Sequence, residues 1–371
     1  MKSLMTVKFI GFGIAALFTF MLFPSCGSDD DTCVETTWYQ DSDEDGLGDP
    51  QVSEMACDQP EGYVENSSDD DDNVASTYVI KEVDPSLFLT DEGNVSITTV
   101  TCTLSDGTET ECYEINSKHT PTDHVMGPWC PENIADGPEA GGIWIDGREL
   151  HDVDGAFIEN LATFYNDEGW KMYDDDGNVR RFVTKEECEQ GADPNIEDQF
   201  TNMCAQCLPE WVSTEVTYLI PKRPVIQNSS IQLGDGPTLD ERGVEYGPLV
   251  RGLAFNGVRF DHPADLNIIL SGYQIAPVDN AGGHVNNRLG YHYHGDMGQS
   301  TRIKQEDGHS AMIGYALDGH GLYAQLDDNG EEPTDLDNCR GHYDETRGYH
   351  YHVMPLANNE FLECFYGAWA E

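Results

Sequence analysis

The stretch NVSITTVTCTLSDGTETECYEI, residues 94–115, alternates β-branched with small polar residues on both sides of Asp106–Gly107. A period of two sends successive side chains to opposite faces of a strand, and an Asp-Gly pair supplies the positive φ angles of a tight hairpin. Two antiparallel strands are expected here. WKMYDDDGNVRRFV, residues 170–183, reads the same way, with YDDDGN as the hairpin loop rather than a further calcium turn. Helical spacing is confined to AFIENLATFYNDE at 156–168 and, more briefly, TKEECEQG at 184–191. There is no βαβ alternation and no glycine loop that would cradle phosphate. The expected fold is mainly β: a disulfide-stapled β-sandwich or barrel-like body with few short helices, preceded by a small N-terminal Asp-rich module.

The chain of 371 residues carries 69 Asp plus Glu against 19 Lys plus Arg, a formal charge of -50. Such a field repels phosphate, so nucleic acid and anionic membrane surfaces are disfavoured as partners, no nucleic-acid partner is expected, and cations are favoured. The N-terminus has two lysines and then an apolar run from Phe9 to Phe23. That run is too short to span a bilayer and has the length of a signal-peptide core, so residues 1–25 are expected to direct export. Pro24, Ser25 and Cys26 resemble the lipobox of bacterial lipoproteins, with Phe23 where Leu is usual. The resemblance implies that Cys26 is lipidated, that residues 26–35 form an acidic tether, and that the protein sits on the outer membrane, exposed at the cell surface.

Eleven cysteines suit an oxidising compartment. Removing Cys26 leaves ten, and proximity in sequence suggests Cys33 with Cys57, Cys102 with Cys112, and Cys339 with Cys364. The partners of Cys130, Cys188, Cys204 and Cys207 stay open; CAQC at 204–207 is a weaker candidate for a redox or zinc pair.

Residues 36–74 concentrate carboxylates. Asp41, Asp43 and Asp45 alternate ahead of Gly46, followed by Asp49 and, further on, Asp69 and Asp71. Oxygen ligands crowded around a tight turn suit Ca²⁺. This is no EF-hand, because Val52 stands where the twelfth-position Glu would be. The segment is similar to Asp-rich calcium-binding repeats related to thrombospondin type 3 units, with Asp70 replacing the cysteine of the final motif.

The chemistry-bearing signal lies further on. Eight of twelve histidines fall between residues 284 and 352, and GYHYH occurs at both 290–294 and 348–352. On a strand both histidines of each word share one face and both tyrosines the other, so His292 with His294 and His350 with His352 form ligand pairs. Imidazole ligands suit copper or zinc. One shared site and two separate sites are both open, convergence of all four being the expectation if the strands are neighbours. His284, His309 and His342 are further candidate ligands, with Asp318 and Asp337 nearby.

These words, together with YLIPKRPV, GLAFNGVRFDHPA, DNAGGHVNNRLGYHYHG, GHSAMIGYALDGHGLYA and LDNCRGHYDETRGYHYHV, resemble the YHYH domain family over roughly residues 80–371. The resemblance implies an N-terminal part of the β body at 78–215 and the YHYH domain at 216–371, in a secreted family of unassigned activity. His320 departs from the aromatic or apolar residue more usual at its place. No GxSxG or HExxH motif occurs. The reading is a surface protein that binds a transition metal through paired His-x-His strands, with structural calcium near its N-terminus. The alternatives are a metalloenzyme, hydrolytic or oxidative, with an open coordination position and Asp318 or another carboxylate as base, and a structural or adhesive surface module. A small-molecule or protein partner is not identified by the sequence.

Overall fold

The computed structural model describes residues 36–370 except 43–47, 65–66, 68–78, 148, 192–197 and 235–246. Asp43, Asp45, Asp69 and Asp71, Cys26 and Cys33, and the signal-peptide and tether segments lie outside the described residues. Strands β1 (Thr36–Gln40), β2 (Asp49–Ala56) and β3 (Tyr63–Val64) form a small antiparallel sheet in the order β2-β1-β3, with Trp38 and Val64 buried. Among the calcium candidates, the Asp49 carboxylate accepts from the Gln51 amide at 2.7 Å and the Asp41 amide donates to Gly62 O at 2.9 Å.

The alternating stretch folds as expected into β4 (Val95–Thr103) and β5 (Glu109–Ser117), joined at Asp106–Gly107, with Gly107 at φ 85°. After the short hairpin of β6 (Ile143–Asp146) and β7 (Glu149–Asp152) come the two expected helices. These are α1 (Gly155–Phe164), capped by the Asp154 carboxylate on the Phe157 amide, and α2 (Lys185–Gly191). The second expected hairpin is reduced to an isolated bridge between Tyr173 and Val179. The Asp174 side chain holds its turn by accepting from the Asp176 and Asn178 amides, while Arg181 bridges to Cys204, so the arms part to pair elsewhere. β8 (Val216–Pro221) pairs with β5, and one buried cluster runs from Val83 to Tyr366, across residues 215 and 216.

The C-terminal half, after β9 (Ile226–Gln232), is organised by an eight-stranded sheet. Its strands are β10 (Gly252–Ala254), β11 (Arg259–Phe260), β12 (Gly283–Asn286), β13 (Gly290–Tyr293), β14 (Met312–Ala316), β15 (Gly321–Tyr323), β16 (Gly341–Asp344) and β17 (Gly348–His352). Helix α3 (Leu266–Ser271) follows β11, and β18 (Cys364–Gly367) returns to pair with β9.

The sheet order β12-β13-β11-β10-β14-β15-β17-β16 is palindromic in kind. In each half an antiparallel pair (β10–β11, β14–β15) is followed by a parallel pair (β11–β13, β15–β17) and an antiparallel hairpin (β12–β13, β16–β17). The halves meet through the antiparallel β10–β14 pair. The duplicated word is therefore one part of a duplicated four-strand unit.

Four disulfides staple the described body. Cys102–Cys112 and Cys339–Cys364 are those expected; Cys130–Cys204 and Cys188–Cys207 resolve the open partners. The two cysteines of CAQC go to different partners, so a redox or zinc pair there is excluded. Cys57 is also disulfide-bonded.

Candidate metal centres

In each unit a glycine opens the strand that carries the histidines. Gly290 and Gly348 sit at φ 74° and 65°, and a Cβ on Gly348 would fall 2.1 Å from the Val79 carbonyl oxygen. Only glycine combines that conformation with so close an approach. The preceding turns are matched: Asn286 caps the amides of Arg288 and Leu289, and Asp344 caps those of Thr346 and Arg347. The tyrosines go to the face opposite the histidines. Tyr291 donates to Asp279 and Tyr349 to Asp337; Tyr293 accepts from Asn256, and Tyr351 donates to Asp318 at 2.6 Å. Asp318 also takes the amides of His320 and Gly367, and His320 packs on Tyr349 and Tyr351. Asp318, Asp337 and His320 thus belong to the tyrosine side, and the expected role of Asp318 as a base at the histidines is overturned.

The histidines form two centres. His309, His342, His350 and His352 make one; His284, His292 and His294 make the other. Convergence of all four YHYH histidines does not occur, because β11, β10, β14 and β15 lie between β13 and β17 at about 4.8 Å per strand.

In the four-histidine centre, Nε2 of His342 lies 3.0 Å from Nε2 of His350, which lies 3.1 Å from Nε2 of His309; Nε2 of His352 lies 3.2 Å from Nε2 of His342. Every Nδ1 faces an oxygen: His309 the Ser310 carbonyl, His342 the Asp335 carboxylate, His350 the Gly348 carbonyl and His352 the Ala324 carbonyl, at 2.8–3.0 Å. Carbonyl and carboxylate oxygens only accept, so the ring proton belongs on Nδ1 and the Nε2 lone pairs point at one another. Burial, reinforced by neighbouring His342, pushes His350 well below the usual histidine range and His352 down to about 3. A proton is therefore a poor way to relieve the facing lone pairs, and a cation bound by all four nitrogens is the fitting one. A tetrahedral site with metal–nitrogen distances of about 2.05 Å has nitrogen–nitrogen edges of about 3.3 Å, close to those observed.

The second centre is built alike but lacks a fourth imidazole. Nε2 of His284 and His292 are 3.1 Å apart, and the three ring centroids are separated by 4.7–4.9 Å. His292 Nδ1 is held by the Gly290 carbonyl, as in the first centre, and His284 by the backbone of Ala276 and Pro277. His294 Nδ1 is buried with no hydrogen-bond partner. Burial lowers all three, His284 to about 4. Where His309 completes the other centre, a carboxylate stands here: Asp261 Oδ2, 3.9 Å from His292 Nε2. Its Oδ1 is occupied by Arg259 and the His262 amide. Burial raises this carboxyl, but Arg259 and the adjacent imidazoles outweigh that and hold it below its usual range. Nothing in the sequence reading marked Asp261; its signal was its place directly after β11, the strand beside β13.

The seven histidines singled out in the sequence are thus all placed, as four and three. Residues 220–335 match a family model described as YHYH protein. The YHYH match contains the whole three-histidine centre and His309, and ends before His342, His350 and His352. No curated protein and no solved structure matches.

Proposed function

We propose that this protein binds two transition-metal ions, one in each histidine centre, as an exported and lipid-anchored surface protein. The observation that carries the reading is the set of four Nε2 atoms facing one another with every Nδ1 committed to an oxygen. Oxygen partners on the outer ring nitrogens also fix ring orientation and raise ligand basicity, the usual support of histidine metal sites. The donor set of neutral imidazoles without thiolate suits copper or zinc.

The anchor and the calcium reading rest on sequence: the apolar run before Cys26, and the carboxylates of residues 41–71. A metalloenzyme is supported as a second reading at the three-histidine centre alone, where a carboxylate stands beside an incomplete imidazole set. Electron paramagnetic resonance of protein purified without a histidine tag tests the proposal. A Cu²⁺ signal with nitrogen hyperfine structure that integrates to two ions per chain, and falls to one when His350 and His352 are both replaced by Ala, is expected. An unchanged signal in that variant, or a protein that takes up neither copper nor zinc, overturns it.

A further inference from the structure

A cavity of about 230 Å³ lies beside the three-histidine centre, and His284 belongs to both. Phe182, Ala205, Ile268 and Ile269 give it a largely apolar wall; among the described residues its one charged lining group is the carboxylate of Asp265, and no Lys or Arg lines it. On the metal side the centre has three imidazoles, with Oδ2 of Asp261 3.9 Å from His292 Nε2. The duplicated unit solves the same problem differently, filling the fourth place with His309.

Resting on the proposed metal binding, we infer that the two centres have divided roles. The four-histidine centre is coordinatively filled, and the three-histidine centre takes an exogenous ligand through the His284 cavity. The ligand class is a small uncharged molecule with an apolar body and one nitrogen lone-pair donor, such as an azole. The apolar wall favours an uncharged, apolar body on the donor that reaches the metal. The metal takes the donor's lone pair.

Cobalt(II)-loaded full-length protein tests this, with imidazole and 4-phenylimidazole as probes. We expect two cobalt ions per chain and a shift in the visible bands of one of them on adding either imidazole. His292→Ala should abolish the response. Ile268→Trp, at a cavity-wall position whose side chain reaches solvent, should leave both cobalt ions bound and weaken 4-phenylimidazole about tenfold. Two bound cobalt ions with no imidazole response, a response that survives His292→Ala, or unchanged 4-phenylimidazole binding in Ile268→Trp overturns the inference while leaving metal binding standing. Failure to bind cobalt, zinc or copper overturns the metal proposal and this inference together.

Discussion

At the scale of single residues, the oxygen behind each imidazole is as informative as the imidazole itself. Asp335 is the one side-chain acceptor among the four that hold the Nδ1 atoms of the larger centre. Replacing it by Ala removes the carboxylate that holds His342 Nδ1 and frees the ring to rotate. Loss of such a partner costs about 10–100-fold in metal affinity, and competition titration against a chromophoric chelator should read that loss at one centre only. Gly348 offers a test of the backbone. A side chain there must adopt a left-handed conformation, at about 1–2 kcal/mol, and press on the Val79 carbonyl. Gly348→Ala should lower the melting temperature by several degrees in metal-free protein, whereas Gly330→Ala should show only the conformational part, because nothing lies near its Cβ position. Equal losses at the two glycines would refute the close-approach argument.

At the scale of elements, strand alternation made the histidine face legible in advance. Each GYHYH word could be read as two ligands and two core tyrosines, and β13 and β17 carry them that way. Strand order was not legible. Whether β13 and β17 are neighbours depends on the parallel β11–β13 and β15–β17 pairings, which are made through long connections and leave no mark on local periodicity. His284 and His342 were recognised only as nearby candidates, though their hairpin registers, His284 opposite His292 and His342 opposite His350, bring them into the two clusters. The same hairpins predict a pH dependence. In the unfolded chain a histidine takes up its proton near pH 6.5, whereas His284 in the metal-free fold does so at about pH 4 and His352 at about pH 3. Between these values the unfolded state binds more protons, so stability is full above pH 6.5 and falls as pH drops toward 4. A shift of the size shown by His284 corresponds to about 3 kcal/mol. Chemical denaturation of metal-free protein at pH 7 and pH 5 should show the drop, and saturating metal should protect at pH 7. Equal stability at the two pH values would contradict the burial of neutral imidazoles.

At the scale of the whole molecule, a duplicated four-strand unit displays two candidate metal sites of unequal completeness on one continuous core. The mainly β class, both short helices and the Cys102–Cys112 and Cys339–Cys364 staples followed from local sequence, because each rests on alternation, helical spacing or cysteine proximity. Cys130–Cys204 and Cys188–Cys207 did not, since pairings between distant segments are set by tertiary packing. Asp261 was missed for a similar reason: its approach to His292 exists only once β11 lies alongside β13. The account requires two ions per chain that can be removed one at a time. The most direct measurement is metal quantitation by elemental analysis on tag-free protein reconstituted with excess zinc or copper and then desalted, for the native sequence and for two double variants, His292→Ala/His294→Ala and His350→Ala/His352→Ala. The account predicts two ions per chain in the native protein and one in each variant. A single ion in the native protein that both variants lose would show one shared site, and no ion in any of the three would remove the metal reading altogether.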